Sequence, residues 1–132
     1  MTDSVFSWPI RVYFEDTDAS GVVYHANYLR WFERARTEWL RAQGYDQQKL
    51  MDELGIAFTV ATIAIAYKRP ARLDDQVEVL THIAEQGKVT LTLAQKLVPA
   101  GNHSEIMTTA QVGVVCVDSK NFRPKRFPDF SL

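Results

Sequence analysis

The chain has 132 residues, 46% hydrophobic and 23% charged, with a formal net charge of -1. That balance suits one globular domain over residues 1–132, able to bury roughly two-thirds of its unfolded surface without a disulfide or metal staple. It argues against a general nucleic-acid binder, and no uncharged apolar run approaches the roughly 18 residues of a membrane-spanning helix.

The opening segment MTDSVFSWP carries an acid and no basic stretch leading into an apolar run, so it does not resemble a secretory signal, and a cytoplasmic location is expected. Residues 6–14 alternate, with Trp8, Ile10, Val12 and Phe14 on one face and Arg11 and Tyr13 between them. This is a strand pattern, and Pro9 assigns it to a sheet edge or a strand start. An acidic bend follows, EDTDASG at 15–21. From about residue 25 to 43 the period changes: Tyr28, Leu29, Phe32, Ala35, Trp39 and Leu40 recur at three- and four-residue intervals, with Arg30, Glu33, Arg34, Arg36, Glu38 and Arg41 elsewhere. The spacing predicts a helix of about five turns, and Trp31 widens its apolar arc. Gly44 is placed to stop it, and Asp46 to cap a short second helix running through Leu54 before Gly55.

The rest reads as strands. Residues 57–67 carry small or branched side chains on both faces, which look covered. After the interruption KRPARLDD, Val77, Val79 and Ile83 alternate with Gln76, Glu78 and His82, and 85–88 reads as a turn. Val89, Leu91, Leu93 and Leu97 then form an inward face, 99–102 turns again, and 106–117 is a last apolar strand. It contains Cys116, the single cysteine, read as a buried structural thiol. The cluster Lys120, Arg123, Lys125 and Arg126 reads as solvated surface. One long helix among five strands predicts an α+β fold in which a mainly antiparallel sheet covers the helix. The two-sided apolar strands leave surface that one helix cannot cover, so pairing across a dimer interface is expected.

The acidic bend admits several chemistries. Asp16, Asp18, Ser20 and Gly21 match the opening of a calcium loop, but Asn27 stands where that loop needs a bidentate glutamate, and a strand rather than a helix precedes it. DTD after a strand also resembles the first motif of aspartate phosphotransferases, whose repeated strand-helix wrap is missing. His25, His82 and His103 have no metal-ligand spacing, so no metal is expected. Two readings of the acids stay open. They close an Asx-type turn, or one of them faces a substrate carbonyl polarised by free N–H groups at the helix start, with Gly21 permitting close backbone approach. His25 serves as a donor or as a local cap, and Tyr24 and Tyr28 read as core or pocket wall.

The segment DTDASGVVYHANY at 16–28, followed by ERARTEWL, with WPIRVYFEDTD before it, YKRPARLDD in the middle and VVCVD near the end, resembles the hotdog-fold acyl-CoA thioesterases of the 4-hydroxybenzoyl-CoA thioesterase group. Within that group it is most similar to the Tol-Pal-associated bacterial branch. The resemblance implies a helix wrapped by a five- or six-stranded antiparallel sheet, sheets joined in a homodimer, active sites at the interface, and often a homotetramer. It carries the catalytic carboxylate onto Asp18 and the carbonyl-polarising amide to the neighbourhood of His25. Val23 and Tyr24 are expected to line the substrate pocket, and Lys68, Arg69 and Arg72 to meet the phosphates of coenzyme A, although a solvated cluster is the plain alternative. Ser20 departs from the glycine frequent in the close branch, a change expected to affect only turn flexibility. No cofactor is expected, coenzyme A being part of the substrate, and acyl carrier protein is an alternative donor. The rival readings are a hotdog hydratase or dehydratase using His25 with Glu33 or Glu38, and a non-catalytic acyl-CoA or acyl-carrier-protein binding module.

Overall fold

The computed structural model of the protein describes residues 5–128; the first four residues of the segment read as no secretory signal lie outside it. Its elements in chain order are β1 (Phe6–Arg11), a 3-10 turn (Phe14–Asp16), α1 (Asn27–Ala42), α2 (Gln47–Lys49) running into a π turn (Leu50–Leu54), β2 (Ile56–Tyr67), β3 (Gln76–Gln86), β4 (Thr90–Pro99) and β5 (Thr108–Asp118). The strands form one antiparallel sheet in the order β1-β3-β4-β5-β2. The first two strands in sequence are therefore its two edges. Pro9 sits opposite Glu78 on edge strand β1, where a missing N–H is tolerated.

The sheet curls around α1. The helix buries Tyr28, Trp31, Phe32, Ala35, Trp39 and Leu40 against Val77 and Val79 of β3, Leu91, Leu93 and Leu97 of β4, and Val112, Val114 and Cys116 of β5. Each large side chain so buried contributes about 1.5–3 kcal/mol. The Cys116 thiol lies in this core, and burial raises its pKa, so it packs rather than reacts. The inward alternation of β3 and β4 also passes through two polar residues, Thr81 and Gln95. Both are buried because Gln95 Nε2 donates to the Phe32 carbonyl and to Thr81 Oγ1, each at 3.0 Å. Its Oε1 accepts from Arg36 at 3.1 Å.

Four expectations are corrected. The strand at 6–14 ends at Arg11, because the Tyr13 N–H donates to Asp16 Oδ2 at 2.8 Å and turns the chain; Phe14 is consequently 81% exposed rather than inward. The helix starts at Asn27, not 25, since the Asn27 N–H is tied back to the Tyr24 carbonyl in a turn. Leu29 is 39% exposed on the flank of α1, one position away from the face that meets the sheet. Finally, the second half of β2 is largely exposed on this chain, not covered on both faces; among the described residues β2 pairs only with β5. Asp46 does cap the short helix, accepting the Lys49 N–H at 2.8 Å.

Candidate active site

The loop between β1 and α1 is built by its own polar groups. Thr17 and Val23 bridge, the Asp18 N–H donates to the Val22 carbonyl at 2.9 Å, and the Gly21 N–H donates to the Asp18 carbonyl at 3.0 Å. Gly21 has φ of +82°, which glycine alone adopts without strain. The loop is stitched to the segment after β2, where Val22 bridges Arg72 and the Val23 N–H donates to the Ala71 carbonyl.

Asp16 and Asp18 take different parts in it. Asp16 uses both oxygens structurally: Oδ1 accepts from Asn27 Nδ2 at 2.9 Å and Oδ2 from the Tyr13 N–H. Asp16 thus braces the loop, while the Asx-turn bond, to the N–H two residues on, is made by Asp18 to Ser20. Asp18 is exposed, and its Oδ1 accepts from Ser20 Oγ at 2.5 Å and from the Ser20 N–H at 2.9 Å. These two bonds, with smaller contributions from the Val22 backbone and the charge of His25, hold its carboxyl below the usual carboxylate range. Ser20 therefore does more than alter turn flexibility, since its hydroxyl is the largest influence keeping Asp18 ionised.

His25 sits just before α1. Its carbonyl accepts from the Tyr67 hydroxyl at 2.9 Å, and its ring lies 4.6 Å from Tyr24 and 6.3 Å, edge-on, from Tyr67. Among the described residues, the backbone N–H groups of His25 and Ala26 donate to no backbone carbonyl. Tyr67 is held protonated by burial, which raises its pKa, and it packs edge-on against Tyr28 at 5.3 Å. Tyr28 in turn accepts the Ala71 N–H at 3.0 Å. The end of β2, the start of α1 and the 68–71 segment are thus locked together.

A groove opens there, lined by Val23, His25, Tyr28, Tyr67, Lys68, Arg69 and Pro70. Of the residues expected at the site, Val23, His25, Lys68 and Arg69 line this groove and Asp18 does not. Tyr24 does not line the groove; it is half-exposed and packs on the His25 ring. Arg72 lines an adjoining groove with Arg69, Asp75 and Glu105. Arg69 is ion-paired with Glu105, so part of its charge is already satisfied. Tyr67 is the residue that sequence reasoning misses, and its signal is an aromatic closing an apolar strand just before the cationic KRPAR turn. Glu33 accepts from Thr37 and Glu38 pairs with Arg41, so within this chain neither carboxylate is turned to His25.

The family model described as the thioesterase-like superfamily matches residues 12–132. The protein is 46% identical over 128 residues to the acyl-CoA thioester hydrolase YbgC of Escherichia coli O157:H7, covering 97% of this chain and 93% of that one. It is 47% identical to the acyl-CoA thioesterase YbgC of Haemophilus influenzae, over 97% and 92% of the two chains. Among solved structures, a probable thioesterase from Bartonella henselae superposes with a TM-score of 0.87 at 31% identity, over 95% of this chain and all (100%) of that one. A DHNA-CoA thioesterase from Staphylococcus aureus superposes with a TM-score of 0.82 at 25% identity, over 92% and 80%. With the motifs around Asp18, the helix wrapped in a five-stranded antiparallel sheet and these matches all in agreement, the chain belongs to the thioesterase-like superfamily and has its hotdog fold.

Proposed function

We propose that residues 1–132 act as one hotdog domain that hydrolyses acyl-CoA thioesters in the cytoplasm, with Asp18 as general base or nucleophile and the His25 backbone N–H polarising the carbonyl. The observation that carries this reading is an exposed carboxylate held below the usual carboxylate pKa range, on the loop that leads to the His25 N–H, which among the described residues donates to no backbone carbonyl. If water adds to the thioester carbon, Asp18 takes its proton, negative charge builds on the carbonyl oxygen, the carbon–sulfur bond breaks, and the proton passes to the departing coenzyme A sulfur. If Asp18 itself adds, the sulfur leaves as thiolate and water then opens the mixed anhydride, releasing the acid, restoring the carboxylate and supplying the thiolate's proton. A preorganised N–H facing that oxygen is worth about 3 kcal/mol in such a step, and the carboxylate's acid–base part roughly 10²- to 10⁴-fold.

In this reading Val23 lines the acyl entrance, with Tyr24 supporting the His25 ring, while Lys68, Arg69 and Arg72 present positive charge to the nucleotide phosphates of coenzyme A or to the phosphate of an acyl carrier protein. The functional unit is a homodimer, which can pair further into a tetramer. The supporting observation is the free edge of β2, whose exposed Val60, Ile63 and Tyr67 lead toward the groove.

Asp18→Asn removes the negative charge at nearly constant size. It is expected to leave the fold intact and lower acyl-CoA hydrolysis about 100-fold or more, measured by thiol release. Turnover near that of the unaltered protein would exclude Asp18 as the base or nucleophile.

A further inference from the structure

The turn that leads into α1 contains two consecutive peptide groups with clamped oxygens. The Tyr24 carbonyl accepts the Asn27 N–H at 2.8 Å, and the His25 carbonyl accepts the Tyr67 hydroxyl at 2.9 Å. A peptide is planar and trans, so fixing its C=O also fixes the opposite direction of its N–H. The N–H groups aimed in this way belong to His25 and Ala26, and among the described residues neither donates to a backbone carbonyl. The two clamps differ in origin. The first closes the turn itself, between residues close in sequence. The second is a side chain 42 residues away, and it reaches an oxygen that the helix leaves over, because the Leu29 N–H donates to Ala26 at 3.2 Å instead.

Tyr67 is itself held firmly. Its backbone ends β2 opposite Thr108 of β5, and the next two N–H groups, of Lys68 and Arg69, both donate to the Met107 carbonyl at 2.9 Å. Its ring stands edge-on to Tyr28 at 5.3 Å and to His25 at 6.3 Å. Phenylalanine would keep these ring contacts, so what tyrosine adds is the hydroxyl on the His25 carbonyl. His25 and Tyr67 line the same groove, which places the clamped peptide beside the space open to a substrate.

We infer that Tyr67 is a positioning residue for the proposed hydrolysis: by gripping the His25 carbonyl, its hydroxyl holds the His25–Ala26 peptide so that the N–H groups of the turn face the thioester oxygen as charge builds there. The hydroxyl touches no reacting atom. It stops the peptide from rocking before the charge develops, which is the condition for a backbone donor to be effective. It also draws on the carbonyl and so strengthens the Ala26 N–H as a donor, as in hydrogen-bond chains that gain about 10–30% per bond. This inference rests on the thioesterase reading and adds the Ala26 N–H to that of His25; the test separates the two.

The experiment is steady-state hydrolysis, by the full chain, of whichever acyl-CoA ester among short, long and aromatic ones the unaltered protein turns over fastest. Tyr67→Phe deletes the hydroxyl and keeps the ring. It is expected to lower kcat roughly tenfold, less than the roughly 10²- to 10³-fold lost with a carbonyl-facing donor itself, while KM stays within about twofold. A residue that only supports the fold would lower the melting temperature and spare kcat, and one that only grips the bound ester would raise KM. Tyr67→difluorotyrosine, fluorinated on either side of the hydroxyl, keeps the shape and makes the phenol more acidic. A phenolate cannot donate, so kcat is expected to fall at a lower pH than in the unaltered protein. Folded Tyr67→Phe with kcat within about twofold of the unaltered protein overturns the role, as does a loss carried by KM alone; both leave the thioesterase reading standing. A high-pH limb unmoved in the difluorotyrosine protein overturns it even if Tyr67→Phe does not fold. No turnover of any ester by the unaltered protein overturns both.

Discussion

Asp16 and Asp18 are two residues apart and chemically identical, yet Asp16 ties Tyr13 to Asn27 while Asp18 closes a tight turn onto Ser20 and stays exposed. The difference is made by neighbours: Tyr13 and Asn27 for Asp16, Ser20 for Asp18. Because the folded-state pKa of Asp18 lies below its ordinary value of 3.8, the ionised form stabilises the loop above that value, and this contribution disappears as pH falls through the lower, folded value. Activity that needs the carboxylate should therefore persist through mildly acidic pH. Ser20→Ala deletes the hydroxyl bond that lowers the pKa most, so the acid limb of the kcat/KM profile should move upward, toward the ordinary carboxylate range. An acid limb unmoved by this substitution would show that Asp18 does not govern the profile.

At the scale of the elements, β2 and β5 meet in a register that jumps between Val60 and Thr62, a bulge at Ala61. Opposite it stands Gly113, and a methyl group there would collide with the Thr62 hydroxyl. The bulge and the glycine are thus one feature, and the edge strand bends there. Because Thr62 is exposed and its hydroxyl can turn aside, Gly113→Ala is expected to cost about 0.5–1.5 kcal/mol, that of a displaced rotamer, read as a slightly lower melting temperature. The helix is equally specific: its apolar stripe is legible from spacing, but the polar pair Gln95 and Thr81 inside the core is intelligible only with α1 in place above it. Gln95 reaches Phe32 and Arg36 across 63 and 59 residues of sequence. Period-two alternation says which face they are on, not what satisfies them there.

For the whole molecule, the sheet has two edges, and β2 is the long one, with apolar side chains exposed along it. Such an edge invites a second copy. Size-exclusion chromatography with light scattering is expected to give at least twice the 15.1 kDa chain mass, and Ile63→Asp to shift the population toward monomer. Monomer alone at micromolar concentration would remove the dimer from the proposal. Local order determines much of this protein from sequence alone. The helix with its capped successor, the edge position of Pro9, and the turn carrying Asp18 and Gly21 beside His25 all depend on residues within a few positions of one another, where periodicity and turn chemistry act directly. Only the tertiary structure decided that Tyr67 clasps the His25 carbonyl from 42 residues away, that Lys68 and Arg69 share its groove while Arg72 turns aside and Tyr24 stays outside, and that Arg36 is anchored by Gln95 from 59 residues away. Those pairings depend on how strands far apart in the chain are brought side by side around one helix, and burial and charge balance at such meetings are properties of the packed assembly, not of any segment within it.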